Sequence, residues 1–142
     1  MVTSGAMTTD EREAFLADVH VGVLAVDEPG RGPLAMPIWY QYVEGAVVLA
    51  MDGASLKARL LKAAGRATLT VQTETAPYQY VSVEGPVTIV PAQHDGLALA
   101  TRYLGAEFGK WYNDANPTDA STVTVILQPQ HWRTFDFAKL LA

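Results

Sequence analysis

Hydrophobic positions along the chain follow two periods, and the switches between them mark the elements. Thr8-x-x-Glu11 has the form of a capping box, and a short helix over 11–18 follows with Phe15 and Leu16 as its apolar contacts. Val19–Val26 is rich in β-branched residues and reads as a buried strand, and Asp27-Glu28-Pro29-Gly30-Arg31-Gly32 is a turn. Leu34–Val43 alternates as a second strand, with Leu34, Met36, Ile38, Tyr40 and Tyr42 on one face and Ala35, Pro37, Trp39 and Gln41 on the other. Pro37 has no N–H for a ladder, so this strand is expected at an edge or at a bulge. Glu44-Gly45 turns into a third strand over Ala46–Met51.

The period then changes. After Met51-Asp52-Gly53 a helical pattern begins, with Leu56, Leu60, Leu61 and Ala64 at core-facing spacing and Gly65 as its stop. Ala67–Thr73 alternates as a fourth strand, and Tyr78–Val90 as a long fifth, interrupted at Gly85-Pro86. His94-Asp95 starts a helix with Leu97, Thr101, Leu104 and Phe108 as its inner stripe, and Trp111–Asp119, carrying Asn116-Pro117, reads as a loop. Thr122–Leu127 and Trp132–Phe137 are expected to pair with each other around Pro129. The pattern predicts a mainly β (α+β) fold, a largely antiparallel sheet that is closed or nearly so. Residues 1–9 are expected to form a flexible tail, and 10–142 a single domain.

Composition narrows the function. A net charge of −5 argues against general nucleic-acid binding. With no cysteine there is no disulfide framework, thiolate metal site or cysteine nucleophile. No apolar run approaches the ~18 residues of a membrane span, and the first residues lack the pattern of a signal peptide, so a cytoplasmic protein without membrane partners is expected.

Against that acidic background, Ala50–Arg66 stands out. Lys57, Arg59, Lys62 and Arg66 lie in it, and no acidic residue occurs between Gly53 and Thr73. A basic helix face is ordinarily just solvated surface. Here a strand end, a glycine turn, Ser55 and Lys57 converge on a helix start, where free N–H groups and the helix dipole favour an anion. Pro37-Ile38-Trp39-Tyr40 offers an irregular strand edge with flat side chains, suited to a planar ring. Tyr78 and Tyr80 share one face of their strand, as core or interface residues do. The three histidines have no metal-ligand spacing and read as solvated or capping groups; no metal is expected. No nucleophile elbow or paired carboxylates occur, so any hard chemistry falls to a cofactor, and no catalytic side chain is assigned.

In order, His20-Val-Gly-Val-Leu-Ala-Val, a Gly-Arg turn, Met36-Pro-Ile-Trp-Tyr, Ser55-Leu-Lys57-Ala-Arg59-Leu-Leu and Tyr78-Gln-Tyr-Val-Ser-Val-Glu-Gly-Pro occupy most of residues 10–137. This series resembles the split β-barrel flavin/deazaflavin oxidoreductases, the pyridoxamine 5′-phosphate oxidase superfamily, and within it the class B enzymes dependent on coenzyme F420. The resemblance implies an FMN-binding-type split barrel of six to seven mostly antiparallel strands with a few flanking helices. It also implies a homodimer with cofactor bound between subunits. Lys57 and Arg59 would grip the cofactor phosphate, assisted by Ser55, Leu56 and backbone groups near Ala50 and Met51. Met36, Pro37, Ile38 and Trp39 would lie along the ring, and Tyr78, Gln79 and Tyr80 would come from the partner subunit. Many relatives have Ser or Thr where this chain has Ala50-Met51, and Asn where it has Leu60.

The expected activity is hydride transfer between F420 and a small electron-poor acceptor such as an enone or quinone. The alternatives are an FMN-dependent oxidase or flavin reductase of the same fold, and a non-catalytic carrier of the cofactor. A proton for the product could come from solvent, Tyr40 or Tyr112. Trp39, Trp111 and Tyr112 are candidates for an apolar acceptor pocket, and Lys62, Arg66 or Arg31 for contacts with the cofactor's anionic tail.

Overall fold

The structure, a computed structural model, describes residues 4–141. Helix α1 (Thr9–Ala17) begins at the expected capping box: Thr8 accepts from the Glu11 amide while the Glu11 carboxylate accepts from the Thr8 amide. The same carboxylate meets the Lys139 ammonium at 2.6 Å, which holds its pKa down at about 2. Ahead of α1, the Gly5 carbonyl accepts from Asp136 and the Met7 amide donates to Thr134 Oγ1, so the segment is tied to the last strand.

Eight strands make up the sheet: β1 (Gly22–Val26), β2 (Leu34–Ile38), β3 (Gln41–Val43), β4 (Ala46–Asp52), β5 (Arg66–Gln72), β6 (Gln79–Pro91), β7 (Thr122–Leu127) and β8 (His131–Asp136). Helix α2 (Leu56–Ala64) lies between β4 and β5, and α3 (Gly96–Leu104) and α4 (Ala106–Ala115) between β6 and β7. The path runs β2-β1-β5-β6-β7-β4-β3, all antiparallel, with β8 paired to β6. Its two ends, β2 and β3, are consecutive in the chain and separated only by Trp39 and Tyr40. The sheet therefore curls until its edges meet through a covalent link instead of a ladder, giving a split barrel.

That link corrects the single strand expected over Leu34–Val43. The alternation of faces survives, since Ile38 and Tyr40 are buried while Ala35 and Pro37 are exposed, but the ladder breaks at Trp39-Tyr40. Pro37 lies opposite Val23 on the edge strand β2, where its missing N–H costs nothing.

Strand β6 departs from expectation in the other direction: it runs unbroken through Gly85-Pro86. Its N-terminal half pairs with β5 and β8, and its C-terminal half with β7. At the junction the Gln128 amide donates to the Pro86 carbonyl at 3.0 Å and the Gln130 amide to the Glu84 carbonyl at 2.8 Å. A Cβ on Gly85 would come within 1.7 Å of the Gln128 carbonyl oxygen. Glycine is there for close backbone approach, not as a breaker. Strands β7 and β8 consequently do not pair with each other; they lie in succession along β6.

The interior is closed by Leu24, Leu69, Val81 and Val83 from one half of the sheet and Val47, Leu49, Val125 and Leu127 from the other, all fully buried. Leu16 of α1 and Leu61 of α2 plug this core, each contributing about 1.5–3 kcal/mol by burial. In α2 the core-facing residues are Ala58 and Leu61, with Leu60 packed at the margin; Leu56 and Ala64 face outward because one short stripe suffices to cover the barrel end. Gly65 ends the helix in the left-handed conformation, φ 71°.

The region after β6 also differs. Helix α3 presents Leu99 and Ala100 inward, leaving Leu97 and Phe108 exposed, and Gly105 separates it from α4. The stretch expected as a loop from Trp111 is helical to Ala115. A Cβ on Gly109 would meet the Thr101 backbone at 2.8 Å, so this glycine sets the close packing of α4 on α3. Among the described residues no helix is long and apolar enough to cross a membrane.

Candidate functional site

Between the β2–β3 link, the end of β4, the start of α2 and the α3–α4 pair lies an open cavity of about 640 Å³. Pro37, Ile38 and Trp39 form one wall, Ala50 and Met51 the floor, and Lys57 an edge. His94, Leu99, Tyr112, Asn113 and the loop around Thr118 complete the lining.

Tyr103 creates the first wall. Its hydroxyl accepts from the Tyr40 amide at 3.0 Å and lies 2.7 Å from the His20 carbonyl, its natural acceptor. The backbone N–H freed by the ladder break is satisfied from α3. The Tyr103 ring stacks on Trp39, with centroids 5.0 Å apart and planes 5° from parallel, while Tyr112 leans against Trp39 at 5.1 Å and 53°. Removing the hydroxyl leaves a partly buried amide unpaired, so Tyr103→Phe should lower stability by about 1–2 kcal/mol in urea unfolding. A change within about 0.3 kcal/mol would show that the ring stack alone holds the link.

Helix α2 supplies the charged edge. Its N-cap Ser55 accepts from the Ala58 amide and donates its hydroxyl proton to the Asp52 carbonyl at 2.7 Å. The Asp52 carboxylate takes the Ala54 amide at 2.8 Å. What remains for an incoming anion is the pair of Leu56 and Lys57 amides, which have no protein partner among the described residues, and the Lys57 ammonium, which forms no ion pair among them. Asp52, on the same cavity wall, partly offsets that positive field.

Six of the residues expected at the site, Pro37, Ile38, Trp39, Ala50, Met51 and Lys57, share this cavity. Met36 is half-buried on β2 and does not line the cavity, Ser55 is committed to capping, and Leu56 and Arg59 face outward on α2. Tyr78, Gln79 and Tyr80 are not on the cavity wall; Tyr80 lies on the outer face of the sheet against Phe135, with ring centroids 6.4 Å apart. Trp111 is 60% exposed and stacks on Phe108, away from the cavity, because the helical turn at 111–112 sends Tyr112 inward instead. Tyr40 is no proton donor to the cavity: it is fully buried, gives its proton to the Leu16 carbonyl at 2.6 Å, and burial pushes its pKa well up.

Sequence reasoning missed His94, Tyr103, Asn113 and Thr118. Tyr103 and Asn113 were hidden by the misplaced helical stripe, whose true phase sets Leu99 and Ala100 inward. His94 is partly buried: its Nδ1 lies 2.8 Å from the buried Thr124 hydroxyl, and burial lowers its pKa, with Asp95 opposing. His20 bonds the Phe15 carbonyl at 2.9 Å and stacks on the Phe15 ring.

The chain belongs to the pyridoxamine 5′-phosphate oxidase family, whose sequence profile matches residues 8–136. Its fold is that of a conserved hypothetical protein from Mycobacterium tuberculosis, at 23% identity over 99% of this chain and 91% of the other, with a TM-score of 0.82. It is shared by a protein described as an F420 reductase (24% identity, 85% and 94% coverage, TM-score 0.68). An FAD-binding protein from Mesorhizobium loti is similar as well (19%, 90% and 94%, TM-score 0.66). No curated protein sequence matches the chain significantly.

Proposed function

We propose that the protein is an oxidoreductase that holds coenzyme F420 in this cavity and passes hydride between it and a small electron-poor acceptor. The observation that carries the reading is the unpaired Lys57 ammonium beside two open helix amides, set at the edge of a flat wall made by Pro37, Ile38 and Trp39. The residues present fit such a group. One end of the site accepts a phosphate, the wall accepts a ring, and about 640 Å³ leaves room for a second small molecule. When bound, the reduced deazaflavin supplies the hydride. The chain's own residues bind and orient: Lys57 and the α2 amides hold the anion, and the Pro37–Trp39 wall fixes the ring plane.

Exposed basic residues along and after α2, Arg59, Lys62 and Arg66, favour F420 over FMN. They have no carboxylate partner among the described residues and suit an anionic tail, at up to about 1 kcal/mol each, which FMN lacks. The FMN reading keeps the same phosphate seat, and the likeness to an FAD-binding protein supports it.

A homodimer completes the reading. Val21 and Val23 are 56% and 43% exposed on the outer sheet face beside Pro37, and Val21 and Pro37 also line the cavity. A second copy seated on this face would close the cavity's open side and could bring Tyr78 to Tyr80 of that copy towards it. Titration of the purified protein with F420 and with FMN, run alongside sedimentation, tests this. Tighter F420 binding to a dimer is expected, with turnover of an enone or quinone. Tight FMN binding without F420 binding would overturn the cofactor, binding without turnover would favour a carrier, and a monomer would remove the shared site.

A further inference from the structure

The cavity wall formed after β6 carries a polar group with a fixed orientation that the cofactor reading does not use. We propose that His94 presents its Nε2–H to the cavity and that this donor selects a planar, conjugated ligand through a carbonyl oxygen at the ligand's edge. The inference deepens the preceding reading and rests on it in treating this side of the cavity as the acceptor's place.

The tautomer follows from Thr124. That residue is 1% exposed, and its hydroxyl oxygen already accepts from the Gln93 amide at 3.0 Å. Its own proton has one acceptor in reach among the described residues, His94 Nδ1 at 2.8 Å. Nδ1 is therefore the accepting nitrogen, and in a neutral imidazole Nε2 carries the hydrogen. Burial favours that neutral form by lowering the His94 pKa.

Nothing nearby takes up the Nε2–H. The Asp95 carboxylate caps α3, its Oδ1 accepting from the Ala98 amide at 3.0 Å, and makes no hydrogen bond to the imidazole. The Asp119 carboxylate accepts from both the amide and the hydroxyl of Ser121. Nε2 makes no hydrogen bond to any described residue, while His94 lines the cavity.

The surroundings define what it would bind. The same cavity holds the Trp39 and Tyr112 rings, with Ile38, Leu99 and Ala100 adding apolar surface and Asn113 and Thr118 adding polar groups. Flat rings beside an oriented imidazole donor suit a conjugated ring carrying a carbonyl oxygen, while the same ring without oxygen leaves that donor unpaired.

The test compares menadione with 2-methylnaphthalene, the same ring system without carbonyl groups, in protein loaded with oxidised F420 so that no turnover occurs. Equilibrium dialysis should show wild type preferring menadione, and His94→Leu losing about tenfold of that preference. His94→Gln, which keeps a donor near the Nε2 position, should restore most of it. F420 affinity should be unchanged in both variants, while the thermal midpoint should fall in His94→Leu, which leaves the buried Thr124 hydroxyl without its acceptor, with both variants folded at the dialysis temperature. Equal preference in wild type and His94→Leu, absence of menadione binding to wild type, or a loss of F420 affinity in place of menadione affinity would each overturn the proposal. Repeating the dialysis without cofactor separates the two readings. If F420 and FMN both fail to bind while menadione binding still depends on His94, the cofactor reading falls and the donor subsite stands.

Discussion

Lys57→Ala is expected to weaken binding of the phosphate-bearing cofactor by about ten- to a hundredfold, the worth of one charge-assisted hydrogen bond. Lys57 is half-buried at the cavity edge and forms no ion pair among the described residues, so its charge is available to a ligand. Ser55 cannot compensate while its proton goes to the Asp52 carbonyl, and the floor offers Ala50 and Met51, which have no side-chain donor. The fold should not suffer. Alanine is a strong helix former, and the core side of α2 rests on Ala58 and Leu61, so the urea midpoint should shift by no more than about 0.5 kcal/mol equivalent. Fluorescence titration with F420 and FMN reads the effect. Unchanged affinity in a folded variant would take the phosphate away from Lys57 and leave the open amides of α2 as the seat.

The largest effect on stability should come from Gly85→Ala, far from any charge. The new Cβ would lie 1.7 Å from the Gln128 carbonyl oxygen and 2.8 Å from its carbon. Both are backbone atoms, and that backbone is pinned to the neighbouring strand by the Gln128–Pro86 and Gln130–Glu84 hydrogen bonds. Relief requires separating the segment joining β7 and β8 from β6, where the two halves of the barrel meet. A loss of about 3 kcal/mol or more, or failure to accumulate as folded protein, is expected. Gly32→Ala, with no atom within 4 Å of its Cβ, is the control. Equal urea midpoints for the two variants would mean that the junction is looser than the structure shows.

Much of the fold was legible because its signals are local. The Thr8 capping box, the Glu44-Gly45 turn, the Gly65 stop and the alternation in β5 each depend on a few neighbouring residues, and each is found where those residues place it, whereas the buried strand expected over Val19–Val26 begins only at Gly22 and leaves Val19, Val21 and Val23 exposed. The errors share a cause. Gly85-Pro86 has the composition of a breaker, yet the backbone of Gln128 packs there, more than forty residues away in sequence. Leu34–Val43 alternates without interruption, but its ladder partners change from β1 to β4 in mid-run. The α3–α4 stripe was misphased because Gly105 restarts the helix and Gly109 lets α4 lie against α3.

For the site, the sequence alone was enough to bring together a helix start with Ser55 and Lys57, a strand edge at Pro37–Trp39, and the family whose motif order contains both. Those are properties of contiguous residues: charge, missing N–H groups, helix polarity and flat side chains. Only the tertiary structure decided that Ser55 spends its proton on Asp52, that Trp111 turns away while Tyr112 turns in, and that Tyr40 is sealed in the core. It also brought the His94 imidazole against the Thr124 hydroxyl, thirty residues on. Such pairings arise when the sheet curls and sets β6, β7 and the α3–α4 pair around one space, and no local pattern of residues encodes them.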